Sequence, residues 1–177
     1  MTCEGARFDA LRNAFYNSSR KTFYDFWNRF LSFVIIVAGA AAVSDLGAQI
    51  GSVRPTVFAA IATTAAALQL VFDFGGKAAK HDYLQRRYYE LIAEIVSNPG
   101  KERAAQWEAS LHRLYADESP PMRALDAVSY NAACDALAYG EAHRTKVSFW
   151  QNIFRHWYSY PDSDFSPASA KNASPSA

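Results

Sequence analysis

Two long uncharged apolar stretches, "FLSFVIIVAGAAAV" ending at Val43 and "TVFAAIATTAAALQLVF" ending at Phe72, constrain the fold of this chain more than any other feature. Residues 30–44 and 55–72 carry no Asp, Glu, Lys or Arg over 15 and 18 positions. As helices they measure roughly 22 and 27 Å, against about 30 Å of bilayer hydrocarbon. The first lengthens to residues 27–46 when Trp27 sits at headgroup level and Arg29 snorkels. The second reaches residues 55–74, with Asp73 at the far interface. The spacer "SDLGAQIGSVRP" then forms a short turn, bounded by Asp45 and Arg54, that Gly47 and Gly51 permit and Pro55 closes as the first helical residue.

Charge placement gives the orientation. Arg7, Arg12, Arg20, Lys21 and Arg29 precede the first stretch, and Lys77, Lys80, Arg86 and Arg87 follow the second, whereas the spacer holds only Arg54. By the positive-inside rule both flanks stay in the cytoplasm and the spacer is exported. A soluble all-α interaction module is the competing reading, because both stretches are rich in alanine and Gln69 is polar. It gives no physical reason for the asymmetric charge.

Small residues repeat at i, i+4 spacing through Ala38 and Ala42 in the first stretch and Ala59, Ala62, Thr63, Ala66 and Ala67 in the second. In lipid such surfaces let helix backbones approach closely, although alanine is also simply a good helix former. Polar groups at membrane depth face other helices or water, which singles out Thr63, Thr64 and Gln69. With Ala38, Ala42, Ala59 and Ala66 they are the candidate pore lining or interhelical seam.

The flanking segments also read as helices. Upstream, Phe8, Leu11, Phe15, Phe23, Phe26, Trp27 and Phe30 interleave with basic residues at broadly helical spacing, with "NSS" near Asn17 as an interruption. Such a helix lies along the membrane interface or packs in a core. Downstream, the second apolar helix is expected to run on, bend at Gly75 and Gly76, and stop near Ser97. Tyr83, Leu84, Tyr88, Leu91, Ile92 and Ile95 make its cytoplasmic packing face. A following helix starts at Pro99 and presents Ala104, Trp107, Leu111, Leu114 and Tyr115 on one side. The next takes Ser119 as N-cap, Pro120 as first helical residue and Gly140 as C-terminal cap. The last, "RTKVSFWQNIFRHWYSY", is so aromatic that a core or a membrane interface must cover it.

The expected fold is therefore all-α. Residues 1–26 form an N-terminal amphipathic cytoplasmic helix and residues 27–76 a transmembrane hairpin. Residues 77–160 form a cytoplasmic helical bundle and residues 161–177 a small, polar, disordered tail.

Several function classes lose support. The chain has 18 basic and 17 acidic residues, which removes the electrostatic footprint of a nucleic-acid binder. Cys3 and Cys134 are far apart and read as reduced thiols in a cytosolic setting. Glu4 and Asp9, with no early apolar run, argue against a cleavable signal peptide. His81, His112, His143 and His156 never fall at ligand spacing, and no nucleophile motif or phosphate-cradling loop occurs. Glu90 and Glu94 beside Arg86 and Arg87 fit a solvated salt-bridge face. No enzyme, metal or cofactor is expected.

The order of parts resembles the SLATT family of bacterial two-transmembrane effectors. It has an N-terminal "FYNSSRKTFYDFW" helix, two hydrophobic helices around a short loop, then "HDYLQRRYYELIAEI" and "ADESPPMRALDAVSYNAACDAL". The likeness spans residues 7–157 and lies in layout and residue type. It implies an inner-membrane homo-oligomer, both termini cytoplasmic, that forms a pore or disrupts the membrane in anti-phage, abortive-infection defence. In that reading residues 27–46 and 55–74 carry the activity. The cytoplasmic helices receive a trigger from a separate sensor protein or a nucleotide signal, because no sensor domain is attached. A non-pore membrane adaptor or prophage exclusion protein, acting through those cytoplasmic helices, is the alternative of a different class.

Overall fold

The computed structural model describes residues 2–43 and 54–167, so the spacer turn, apart from Arg54 and Pro55, and most of the C-terminal tail lie outside the described residues. The described chain is helical and contains no strand. Its helices are α1 (Cys3–Val43), α2 (Pro55–Phe72), α3 (Phe74–Ser97), α4 (Ala104–Asp117), α5 (Arg123–Ala136) and α6 (Phe149–Phe154), with single 3-10 turns at Lys101–Arg103 and Glu141–His143. They divide into two compact units, one of residues 1–20 with 81–177 and one of residues 21–80.

The first unit has a conventional apolar core. Ala6, Ala10 and Ala14 of α1 repeat at i, i+4 and are completely buried. Against this narrow stripe pack Leu84, Tyr88, Leu91 and Ile95 of α3, alternating steps of four and three, and Trp107, Leu111 and Leu114 of α4. On α5, Ala124, Leu125, Ala127, Ala133 and Cys134 are buried as well. Phe8 of α1 meets Tyr130 of α5 edge-on at 5.0 Å and stacks on Tyr139 at 5.7 Å. No residue of α1 from Phe8 to Arg20 is exposed, so every side of this stretch is at least partly covered.

Local structure departs from the sequence expectations at five places. At Asn17, α1 is unbroken, because the side chain is satisfied inside the fold: its amide donates to Asn13 O at 2.9 Å and to Glu118 Oε1 at 2.8 Å. The break after α2 falls at Asp73, not at the glycines. Asp73 adopts the left-handed conformation (φ 44°), and its carboxylate accepts the Gly76 N–H at 3.0 Å. A side chain at Gly76 would displace that capping carboxylate. Neither proline position opens a helix: α4 begins at Ala104 after a 3-10 turn, and α5 begins at Arg123 with Met122 as its N-cap. A proline disfavours helical geometry in the residue before it, which is why Pro120, followed by Pro121, lies outside the helix. Tyr16 Oη instead accepts the Met122 N–H at 3.0 Å. At the other end of α5 the left-handed residue is Ala138 (φ 56°), not Gly140. Tyr139 N–H donates to Cys134 O at 2.9 Å and Ala138 N–H to Asp135 O at 3.2 Å, the paired bonds of a Schellman cap.

Candidate functional site

The second unit holds both apolar stretches. Polar side chains join them at one level: Gln69 Nε2 of α2 donates to Asn28 Oδ1 at 2.8 Å and to Ser32 Oγ at 3.1 Å, both on α1. Ser32 in turn donates to Asn28 O at 2.8 Å, so a three-residue polar seam crosses between the helices. Leu31 and Ala38 of α1 and Ala65 of α2 are the buried apolar residues of these two helices within the unit. Aromatic side chains gather beside the seam. Phe26 stacks on Phe30 at 6.1 Å, Trp27 meets Phe30 edge-on at 5.7 Å, and Lys77 Nζ lies 5.9 Å above the Tyr24 ring.

Most of α2, and a broad apolar strip of α1 within this unit, faces outward. Phe33 is 64% exposed, Ile36 70% and Leu70 83%. Val37, Val43, Val57, Ile61, Leu68 and Val71 are exposed too. Both helices are long and apolar enough to cross a membrane, and only 11% and 6% of their most apolar windows are buried. A core helix of a water-soluble domain would be mostly buried, since leaving such side chains in water forfeits about 1.5–3 kcal/mol each.

The sequence-singled residues fall in different places. Gln69 joins the seam, Ala38 is buried and Ala42 is half-buried. Ala59, Thr63, Thr64 and Ala66 are exposed, and the Thr63 hydroxyl donates to its own helix at Ala59 O, 2.9 Å away. Within the first unit, Leu84, Tyr88, Leu91 and Ile95 are core residues, whereas Tyr83 is 55% exposed. Asn28, Ser32 and Ala65 carried no sequence signal of their own. Asn28 lies one step from the Trp27 and Arg29 that marked the start of the span, and Ala65 is one alanine among many.

A polar network runs through the otherwise apolar first unit. His81 Nδ1 of α3 lies 2.7 Å from Asn17 Oδ1, and Asn17 continues it to Glu118. Arg12 of α1 grips Asp126 of α5 with two donors, Nε at 2.7 Å and Nη2. Burial opposes the charge on Arg12, but the hydrogen bond and charge of Asp126 outweigh it and raise the guanidinium pKa. Burial, reinforced by the neighbouring Glu118 carboxylate, pushes the Tyr88 phenol up and keeps it neutral. A cavity of about 450 Å³ opens beside this network, lined by Arg12, Asn13, Tyr115, Glu118 and Asp126 with the Ser119–Pro121 loop. Among the described residues no three His, Cys, Asp or Glu side chains gather as a metal-holding group.

Comparison with family models, with curated proteins and with solved structures returns no match.

Proposed function

We propose that this chain is a bacterial inner-membrane effector that oligomerises through its apolar helices and permeabilises the membrane in anti-phage defence. The membrane part of this reading is carried by the outward-facing apolar surface of α1 and α2, including Phe33, Ile36, Leu70 and Val71, and the effector part by the resemblance of the layout to two-transmembrane effectors. Lipid is the solvent in which that surface is stable. The basic residues flanking the helices orient both termini toward the cytoplasm.

The seam supports a division of labour. Gln69 is engaged with Asn28 and Ser32 inside one copy, so it holds the hairpin together. Ala59, Thr63 and Ala66 follow i, i+4, i+7 on a face that the single chain leaves exposed. Small residues on such a face let a second copy approach, and the neighbouring Thr64 hydroxyl then borders a shared lumen. The helices of the first unit set which arrangement is populated, in response to a separate sensor protein or a nucleotide signal.

Induced expression with a membrane-potential dye tests this reading. Depolarisation under a triggering condition, with step-like conductance from reconstituted full-length protein, is the expected result. A polarised membrane and silent bilayers would instead favour a non-pore adaptor acting through the helices of the first unit.

A further inference from the structure

The segment around α6 presents aromatic side chains that the fold does not cover. Phe149 is 72% exposed, Trp150 65%, Trp157 58% and Tyr158 56%, with Ile153 and Phe154 also exposed. Within α6, Phe149, Trp150, Ile153 and Phe154 follow i, i+1, i+4, i+5, which places them on one helical side, and Trp157 follows in the turn beyond it. This exposure is built into the fold. Ser148 and Gln151 form a reciprocal capping box, Tyr160 Oη donates to Trp150 O at 3.2 Å, and Arg20 Nη1 donates to His156 O at 2.9 Å. The first two hold the segment's own shape, the third ties it to α1, and all three leave the aromatic side outward.

Charge indicates what covers it. Residues 144–160 contain Arg144, Lys146 and Arg155 and no Asp or Glu, in a chain whose acidic and basic residues otherwise nearly balance. Arg144 pairs with Asp135 at 2.8 Å. Arg155 bonds the neutral Asn152 Oδ1 at 2.6 Å and His156 Nε2 at 3.4 Å, so its positive charge is not neutralised by either contact. Tryptophan and tyrosine next to the exposed Lys146 and to Arg155 match the headgroup region of an anionic bilayer, where the rings enter the acyl boundary and the cations meet phosphate.

We infer that the α6 aromatic face docks on the anionic surface of the membrane, as a second lipid contact separate from the apolar helices. This rests on the membrane reading above. The test uses the full chain with Cys3→Ser and Cys134→Ala, reconstituted in phosphatidylglycerol-containing vesicles. A nitroxide is placed by Ile153→Cys and, in separate samples, by Leu70→Cys on α2 and Ala142→Cys in the exposed turn before α6. The expected result is an oxygen-to-nickel-chelate collision ratio several-fold higher at 153 than at 142, with 70 lipid-like. Lys146→Gln with Arg155→Gln should lower the ratio at 153 and leave that at 70 unchanged. A water-like 153 with a lipid-like 70 overturns the docking face and spares the spanning helices. Exclusion of both reagents at 153 means that protein, such as a second copy, covers the face, and overturns it as well. A water-like 70 removes the membrane reading itself.

Discussion

Gln69 of α2 donates to Asn28 of α1 at 2.8 Å, so two residues 41 positions apart fix the level at which the apolar helices meet. The same amide also reaches Ser32, at 3.1 Å. One side chain thereby sets register between surfaces that are otherwise alanine and aliphatic.

Replacing that side chain should loosen the pair without unfolding either helix. Interhelical hydrogen bonds in membrane proteins average about 0.6 kcal/mol and reach about 1.7. Gln69→Leu is expected to cost an amount within that range, and Asn28→Ala a similar amount. The double variant should cost less than the sum, because both changes remove one contact. Reversible unfolding in mixed micelles measures all three. Strict additivity would mean that the two residues act independently.

The core of the first unit separates neighbouring positions sharply. Leu84 is 1% exposed and packs against the alanine stripe of α1, while Tyr83 beside it is 55% exposed. Leu84→Ala is expected to cost about 2–5 kcal/mol through lost burial and a cavity. Tyr83→Ala should stay within about 0.5 kcal/mol. Chemical denaturation of the full chain in detergent, followed by circular dichroism, distinguishes them. Equal losses would contradict the packing described here.

His156 makes stability depend on pH. Burial, with the Arg155 and Arg20 charges adding to it, lowers its pKa from the ordinary 6.5 to about 4. In the window between these values the unfolded chain binds a proton that the folded chain refuses, so stability falls as pH drops from 6.5 toward 4. The melting temperature should decline across that window, and His156→Gln should flatten the decline. A slope unchanged in the variant would assign the effect to other groups.

Much of the fold was legible in the sequence, for physical reasons that differ from helix to helix. The apolar stretches and the 84, 88, 91, 95 stripe were readable because hydrophobic periodicity survives in any environment that buries one side. The alanine stripe at Ala6, Ala10 and Ala14 was hidden, because larger aromatics at Phe8 and Phe15 dominate the same turns. Asn17 resembled a helix breaker, since nothing local reveals that His81 and Glu118 satisfy it across 64 and 101 positions. Helix ends misled where chemistry was duplicated. Ser119 and Pro120 had the residue types of a helix start although the helix begins at Arg123, and Ala138 took the left-handed cap although Gly140 stood nearby. The seam was half visible: Gln69 stood out as a polar group in an apolar run, whereas its partners Asn28 and Ser32 lie near the charged start of the span and look unremarkable there.

The central claim is that α1 and α2 cross a membrane. Carbonate extraction of membranes from cells producing the full chain tests it most directly. The protein should remain in the membrane pellet at alkaline pH and high salt and be released only by detergent. Release into the carbonate supernatant would contradict the account, because helices that merely pack in a soluble core or rest on the surface are stripped by that treatment.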